Sequence, residues 1–358
     1  MSKNMKRKRN RRRKKYPILE IGIFLVLVLL IVILFLTQQI NKEKEADLAA
    51  SETQTEENTE EEKEPEKVDL SGLYSTSAIL IDLDTGEVLT QRNPGQIIYP
   101  ASLTKMMTVM VALENIPDTS ASATLSEDIF PPLYEEGASM AGFEPGETAT
   151  YQDLLYGAIL PSGGECCVAL AQNIAGSEAA FVEKMNEKAA ALGLKHTHFT
   201  NTTGLQDINH YSSVEDMALI LQEALKNQTF REIFTTKTYS VAPTNLHTQG
   251  FTFHNSMFET MEKAGIQDSY IQGGKTGFTS DAGLCLASLG EVNGKSYVLV
   301  TAHADGSHDT DPYHIMDAVS VYGQLAELTQ PDTITSEDET ESEEEDLHNS
   351  LYPGRYPM

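Results

Sequence analysis

The chain has 358 residues, with 53 acidic side chains, 26 basic ones and a formal net charge of −27 at pH 7. Ten of the 26 basic residues fall within residues 3–15, so the remainder carries 16 basic against 53 acidic groups, a balance of −37 that excludes nucleic acid as a partner. Cys166, Cys167 and Cys285 give neither a disulfide framework nor a zinc spacing, and buried thiols are the expectation for all three.

In chain order, residues 1–16 form a basic tail, and residues 18–36 are apolar apart from Glu20 and Gly22. A run of that length, at about 1.5 Å per residue, spans roughly 28 Å, the thickness of a hydrocarbon core. Together with the absence of a small-x-small cleavage site just after Leu36, it reads as a transmembrane helix over residues 17–38. The basic flank puts the N-terminus in the cytoplasm, so the chain is expected to be a single-pass protein of the cell membrane with its body outside the cytoplasm. Residues 39–70 read as an acidic disordered stalk, with eleven acids between residues 43 and 66, and residues 329–358 as an acidic disordered tail.

The folded body spans residues 71–328. Ser77–Leu83 and Glu87–Thr90 flank Asp84-Thr85-Gly86 and read as a β-hairpin. Pro100 then punctuates the start of a helix that is apolar on almost every face from Leu103 to Leu113, the pattern of a helix surrounded by protein. Lys105 is the charge inside it, and Ser102, three residues earlier, projects from the same face. A lysine among apolar neighbours loses hydration in its charged form, so its pKa falls toward the range where it accepts a proton from serine. A capping serine followed by a lysine reaching for water is the plainer reading of this pair in isolation.

Helical patterns follow at Tyr151–Ile159, Cys166–Ile174, Ala179–Leu192 and Val214–Lys226, with a last one at Pro312–Leu328. Between the first two, Leu160-Pro161-Ser162-Gly163-Gly164-Glu165 is a turn that holds a serine hydroxyl at a helix junction, where Glu165 either supplies a polar contact or opens the next helix. Further on, Gln272-Gly273-Gly274-Lys275-Thr276-Gly277-Phe278 reads as an edge strand whose glycines admit another backbone. It is not a phosphate loop, because Ser269 stands where the first glycine of that motif belongs and strand follows where a helix should. A second hairpin pairs Gly283–Leu289 with Ser296–Ala302 through Asn293-Gly294. His303–Asp311 reads as a strand-to-helix connection in preference to a metal loop. Strands at both ends with helices inserted predict an α+β fold: an antiparallel sheet flanked by helices, with a helical subdomain.

The three stretches, in this order and spacing, resemble the penicillin-recognising serine enzymes, whose signature is Ser-x-x-Lys, Ser-x-Asn and Lys-Thr-Gly. Over roughly residues 72–328 the chain most resembles the D-alanyl-D-alanine carboxypeptidases of the low-molecular-mass penicillin-binding type, serine peptidase family S11. Tyr99–Met106, Leu155-Tyr156 through Leu160–Gly163, Ala175–Val182, Thr197–Phe199 through Gly204-Leu205, and Gly274–Thr279 carry the likeness. The resemblance implies a β-lactamase/DD-peptidase-like fold, peptidoglycan stem peptides ending in D-Ala-D-Ala as substrates, β-lactams as covalent inhibitors, and no metal or organic cofactor. It implies Ser102 as nucleophile, Lys105 as its base, and Ser162 as the group passing a proton to the leaving amine. Lys275 and Thr276 would hold the substrate carboxylate. Gly277 and Phe278 continue the substrate-binding strand, and the amides of Ser102 and Phe278 would form the oxyanion hole.

The chain departs from the pattern at Gly164, where the motif has asparagine; glycine there either leaves an amide missing or serves a backbone angle with φ > 0. It also departs in its ends, since the acidic tail follows the body directly and the N-terminal helix does the anchoring. Two other functions share the motifs: a serine β-lactamase, which uses a glutamate between the second and third motifs that finds no clear counterpart here, and a catalytically weak penicillin- or peptidoglycan-binding protein.

Overall fold

The chain divides into two units, Met1–Pro65 and Glu66–Met358, and every element named below belongs to the second. The computed structural model describes residues 67–330, with 37 and 38; the apolar run, the basic segment before it, nearly all of the acidic stretch and the tail from residue 331 lie outside them. Among the described residues no helix is long and apolar enough to cross a membrane.

Strand β1 (Ser75–Asp82) carries the continuous apolar run Ala78-Ile79-Leu80-Ile81. A strand apolar on both faces is stable only inside a sheet that is covered on both sides. Ile79 and Ile81 accordingly enter one core, and Ala78 and Leu80 another. The sheet is antiparallel, in the order β2 (Val88–Arg92), β1, β9 (Lys295–Ala304), β8 (Gly283–Val292), β7 (Ile271–Thr279). Pairing of Ser75 with Ala304 joins the two ends of the body, and β7 is left as an edge strand. Asn293 and Gly294, at φ 51° and 77°, form the turn between β8 and β9 that the sequence expects.

One face of the sheet is covered by α9 (Tyr313–Leu328) and α8 (Ser256–Lys263). Val68 and Leu70 are buried in the same layer, so the packed body begins before residue 71 and takes in the last residues assigned to the stalk. Apolar side chains five to seven residues before a strand have a sheet face within reach, whatever the acidity of the chain that precedes them.

The other face carries the helical body: α1 (Thr104–Asn115), α2 (Phe130–Glu135), α3 (Tyr151–Ile159), α4 (Gly164–Ala175), α5 (Glu178–Ala191), α6 (Val214–Ala224) and α7 (Gln228–Thr235). Helix α1 runs through its middle with every residue from Thr104 to Ala112 buried. Side chains of Thr150, Ser177, Ser213, Asn227 and Asn255 cap the starts of α3, α5, α6, α7 and α8. Helices α2, α7 and α8 and the small two-stranded sheets β3 (Ser122–Thr124) with β4 (Thr148–Thr150) and β5 (Thr238–Val241) with β6 (Phe251–His254) go beyond the sequence expectation. They are too short for a periodic pattern to develop. Cys166, Cys167 and Cys285 are buried free thiols, as expected.

Candidate active site

Ser102 stands in a 3₁₀ turn, Ala101–Leu103, that runs straight into α1. Ala101 enters that turn at φ 47°, in the left-handed region that costs a non-glycine residue of order 1 kcal/mol or more. Two glycines hold it there. A Cβ on Gly204, itself at φ 81°, would lie 1.8 Å from the Ala101 carbonyl oxygen, and a Cβ on Gly277 would lie 3.1 Å from both the Pro100 oxygen and the Ser102 nitrogen. The turn that carries Ser102 is therefore gripped between the loop at residue 204 and the edge strand β7, and the glycine of Lys275-Thr276-Gly277 is what lets the strand come so close.

The Lys105 Nζ lies 2.8 Å from Ser102 Oγ and donates to the Thr203 carbonyl at 2.7 Å. Its side chain is 2 % exposed. Burial holds its pKa below the usual lysine value, with Cys167 and Glu165 opposing the shift. Lys275, 1 % exposed, donates to Ser162 Oγ at 2.9 Å and to the Thr276 carbonyl at 2.8 Å. Burial drives its pKa well below the usual value and the charge of Lys105 pushes the same way. The Lys275 ammonium is thus turned toward Ser162, and Thr276, Gly277 and Phe278 are the residues of its strand that border the smaller of two clefts. Ser162, like Ala101, sits at positive φ, 66°. Two strained backbones at two hydroxyl-bearing turns fit a site that the surrounding packing over-determines.

Two clefts meet at Ser102. The larger, about 460 Å³, runs between residues 136–139 and residues 203–206, with Phe278–Asp281 as a third wall. The smaller, about 160 Å³, is bordered by Ser162, Thr276, Gly277, Phe278, His308 and His314 among others.

Glu165 is both things the sequence allows. It occupies the first turn of α4, and its fully buried Oε1 accepts the amides of Ala141, Gly142 and Phe143 at 2.6, 2.9 and 3.3 Å. It ties down the loop that walls the larger cleft. Gly163 permits that closeness, since a Cβ there would lie 2.6 Å from that of Ala141.

Gly164 is not at positive φ: it is the first residue of α4, where asparagine has no backbone penalty, so that explanation of the glycine fails. A Cβ at this position would meet Ala138 and Leu133 at 3.3 Å, and the loop must yield by a few tenths of an ångström. Gly164→Ala and Gly164→Asn are therefore expected to lose similar stability, about 1 kcal/mol. If the missing amide matters, the asparagine variant turns over faster than the alanine variant by up to about tenfold. Equal rates at equal melting temperatures would show that the amide has no role.

His210 has no signal in the sequence, where a lone histidine carries no pattern. Thr200 N–H donates to its Nδ1 at 3.1 Å, so its proton is on Nε2, which donates to Thr104 Oγ1 at 2.8 Å. Burial pushes its pKa down to about 4, and the neutral ring pins the loop whose Thr203 carbonyl receives Lys105. His303–Asp311 connects β9 to α9, and among the described residues no group of three His, Cys, Asp or Glu could hold a metal ion.

A serine hydroxyl on a buried lysine, a second serine on a second buried lysine and a sheet edge beside them form an arrangement in which a lysine amine can take the proton of a serine hydroxyl. The family model for D-alanyl-D-alanine carboxypeptidase, peptidase S11, matches residues 60–306, and the chain belongs to this family. It is 38 % identical over 216 residues to the D-alanyl-D-alanine carboxypeptidase DacF of Bacillus subtilis, covering 59 % of this chain and 53 % of that protein. It is 32 % identical over 252 residues to a D-alanyl-D-alanine endopeptidase of Pseudomonas aeruginosa, covering 69 % of this chain and 75 % of the relative. The chain thus spans about half the length of the first and three quarters of the second. Among solved structures, the Streptomyces K15 DD-transpeptidase superposes with a TM-score of 0.64 at 27 % identity, over 71 % of this chain and 98 % of that one. The fold is that of the DD-peptidases, an antiparallel sheet with helices, as the resemblance implied.

Proposed function

We propose that this protein is a serine-type D-Ala-D-Ala carboxypeptidase that removes the terminal D-alanine from peptidoglycan stem peptides through an acyl-enzyme on Ser102. The observation that carries this reading is the 2.8 Å approach of a buried Lys105 amine to Ser102 Oγ. A neutral Lys105 accepts the hydroxyl proton as Oγ attacks the carbonyl between the two D-alanines, while its own N–H keeps the Thr203 carbonyl. The amides of Ser102 and Phe278 take the developing oxyanion, a contribution of about 10²–10³ in rate per donor. The C–N bond breaks, Ser162 passes the proton to the departing amine, and Lys275 keeps the Ser162 hydroxyl aligned. Water then hydrolyses the ester and frees Ser102. β-Lactams, whose strained amide enters the same first step, are covalent inhibitors in this reading.

The relatives are named carboxypeptidase, endopeptidase and transpeptidase, so their names share the D-alanyl bond and differ in what else is cut or what accepts the acyl group. Water as acceptor is the reading adopted here, and release of D-alanine from a pentapeptide ending in D-Ala-D-Ala by the full chain is its test. No release from a protein that is acylated by penicillin would overturn it. A β-lactamase is disfavoured because no acid between Gly164 and Lys275 is among the residues bordering either cleft.

The reading includes a single membrane pass, with the N-terminus in the cytoplasm and the catalytic body outside. The basic segment and the apolar run support it. Protease added to intact wall-less cells should then digest the body; a protected body, or a soluble form lacking residues 1–40, refutes the anchor.

A further inference from the structure

Among the described residues, four hydrogen bonds join residues 139–143 to the rest of the body, and all four go to the two residues that open α4. Gly164 N–H donates to the Ser139 carbonyl at 2.7 Å, and Glu165 Oε1 accepts the amides of Ala141, Gly142 and Phe143. Ser162 precedes the same helix start, so the segment that holds Ser139 and the serine that passes the proton share one mount. Ser139 borders both clefts, as Ser102, Phe278 and His308 do.

Glu165 is fully buried, and its second oxygen, Oε2, has no hydrogen-bond partner. Burial raises its pKa and the amides of residues 141–143 pull it back. A carboxyl buried with one oxygen unsatisfied weakens a fold, and such groups collect where a site needs them. The two clefts show what the site needs. Ser162, which passes the proton to the departing amine, borders the smaller cleft and not the larger, so the single departing D-amino acid lies on that side. The longer acyl part of the substrate then falls to the larger cleft, about 460 Å³ against about 160 Å³. One wall of that cleft, residues 136–139, runs directly into the segment that Glu165 holds.

We propose that Glu165 is a positioning residue for acyl transfer: it holds residues 139–143 against the start of α4, sets the width of the larger cleft, and so determines how well the site accepts the acyl side of its substrate. This deepens the acyl-transfer reading of Ser102 and rests on it. Glu165 itself borders neither cleft, so its effect passes through the wall.

The test compares acylation of the full chain by two β-lactams that share ring and carboxylate: a penicillin with an arylacetyl side chain, and 6-aminopenicillanic acid, which has none. The wild type should react faster with the first. In Glu165→Ala the three amides lose their acceptor, and the ratio of the two rates should fall about tenfold, the scale on which a small misplacement of a substrate-facing wall is felt. Glu165→Gln offers a carbonyl oxygen at the same reach and should return the ratio to within about twofold of wild type. Glu165→Asp, one methylene shorter, should lower it about threefold and decides the matter if the alanine variant does not fold. The charge that Glu165 places near Lys105 cancels in the ratio, because both β-lactams use the same base. A wild type without preference, an unchanged ratio in the folded alanine or aspartate variant, or an equal loss on both β-lactams overturns the proposal, and so does a glutamine variant as impaired as the alanine one. A wild type that is acylated by penicillin yet releases no D-alanine refutes the carboxypeptidase reading alone, because the ratio is still read from acylation.

Discussion

Ser102→Ala should neither release D-alanine nor form a covalent adduct with a labelled β-lactam, with turnover reduced by at least about 10⁴-fold, the scale of nucleophile removal in serine peptidases. The loss is this large because in the proposed mechanism the Oγ is the atom that forms the ester, and among the described residues no other hydroxyl is hydrogen-bonded to Lys105. The fold should scarcely notice. Lys105 loses one neighbour, a change of about 1 kcal/mol that moves the melting temperature of a body this size by roughly 2–4 °C. Mass spectrometry of the penicillin-treated protein and a melting curve decide the question together. An adduct that persists in the variant places the nucleophile elsewhere.

Lys105→Met should cost nearly as much, about 10³-fold or more, since members of one catalytic unit do not contribute additively. Methionine keeps most of the volume inside α1, so the loss reports the amine and not a cavity. In the wild type the acylation rate should rise with pH as Lys105 gives up its proton, on a limb displaced to lower pH from the ordinary lysine value of 10.5 because burial disfavours the charged amine. Stability follows the same sign. The folded-state pKa of Lys105 lies below the unfolded value, so between the two the unfolded chain holds a proton that the folded one does not. Stability therefore rises with pH across that window, and below it the penalty of the buried charge is constant. Lys275, with its pKa lowered further, adds a window of the same sign. An acylation rate that falls with rising pH over this range, or a methionine variant with more than a tenth of wild-type activity, would refute Lys105 as the base.

The chemistry of Lys105 was legible because it is local. Three-residue spacing on a helix and an apolar surround are properties of residues 102–113 alone, and they already imply a lysine beside a serine and short of water. The two long hairpins, the edge position of Lys275 and the burial of α1 were legible for the same reason, since period and turn residues are written within a few positions of each other. The short helices and two-stranded sheets were not, because three to eight residues do not complete a pattern.

What the sequence by itself determined, then, is which side chains can react and the secondary structure that carries them. Only the tertiary structure decided what each one faces. Lys275 turns to Ser162, 113 residues away, and not into the cleft; the Thr203 carbonyl, 98 residues from Lys105, takes its second hydrogen bond. Glu165 holds a loop 22–24 residues before it, and His314 lines a cleft at the start of a helix that reads in sequence as simple sheet cover. These partnerships depend on α1 being enclosed by the helical body and on β7 lying against the nucleophile turn. Burial of apolar surface sets those positions, and it specifies layers without naming which polar groups the layers bring together.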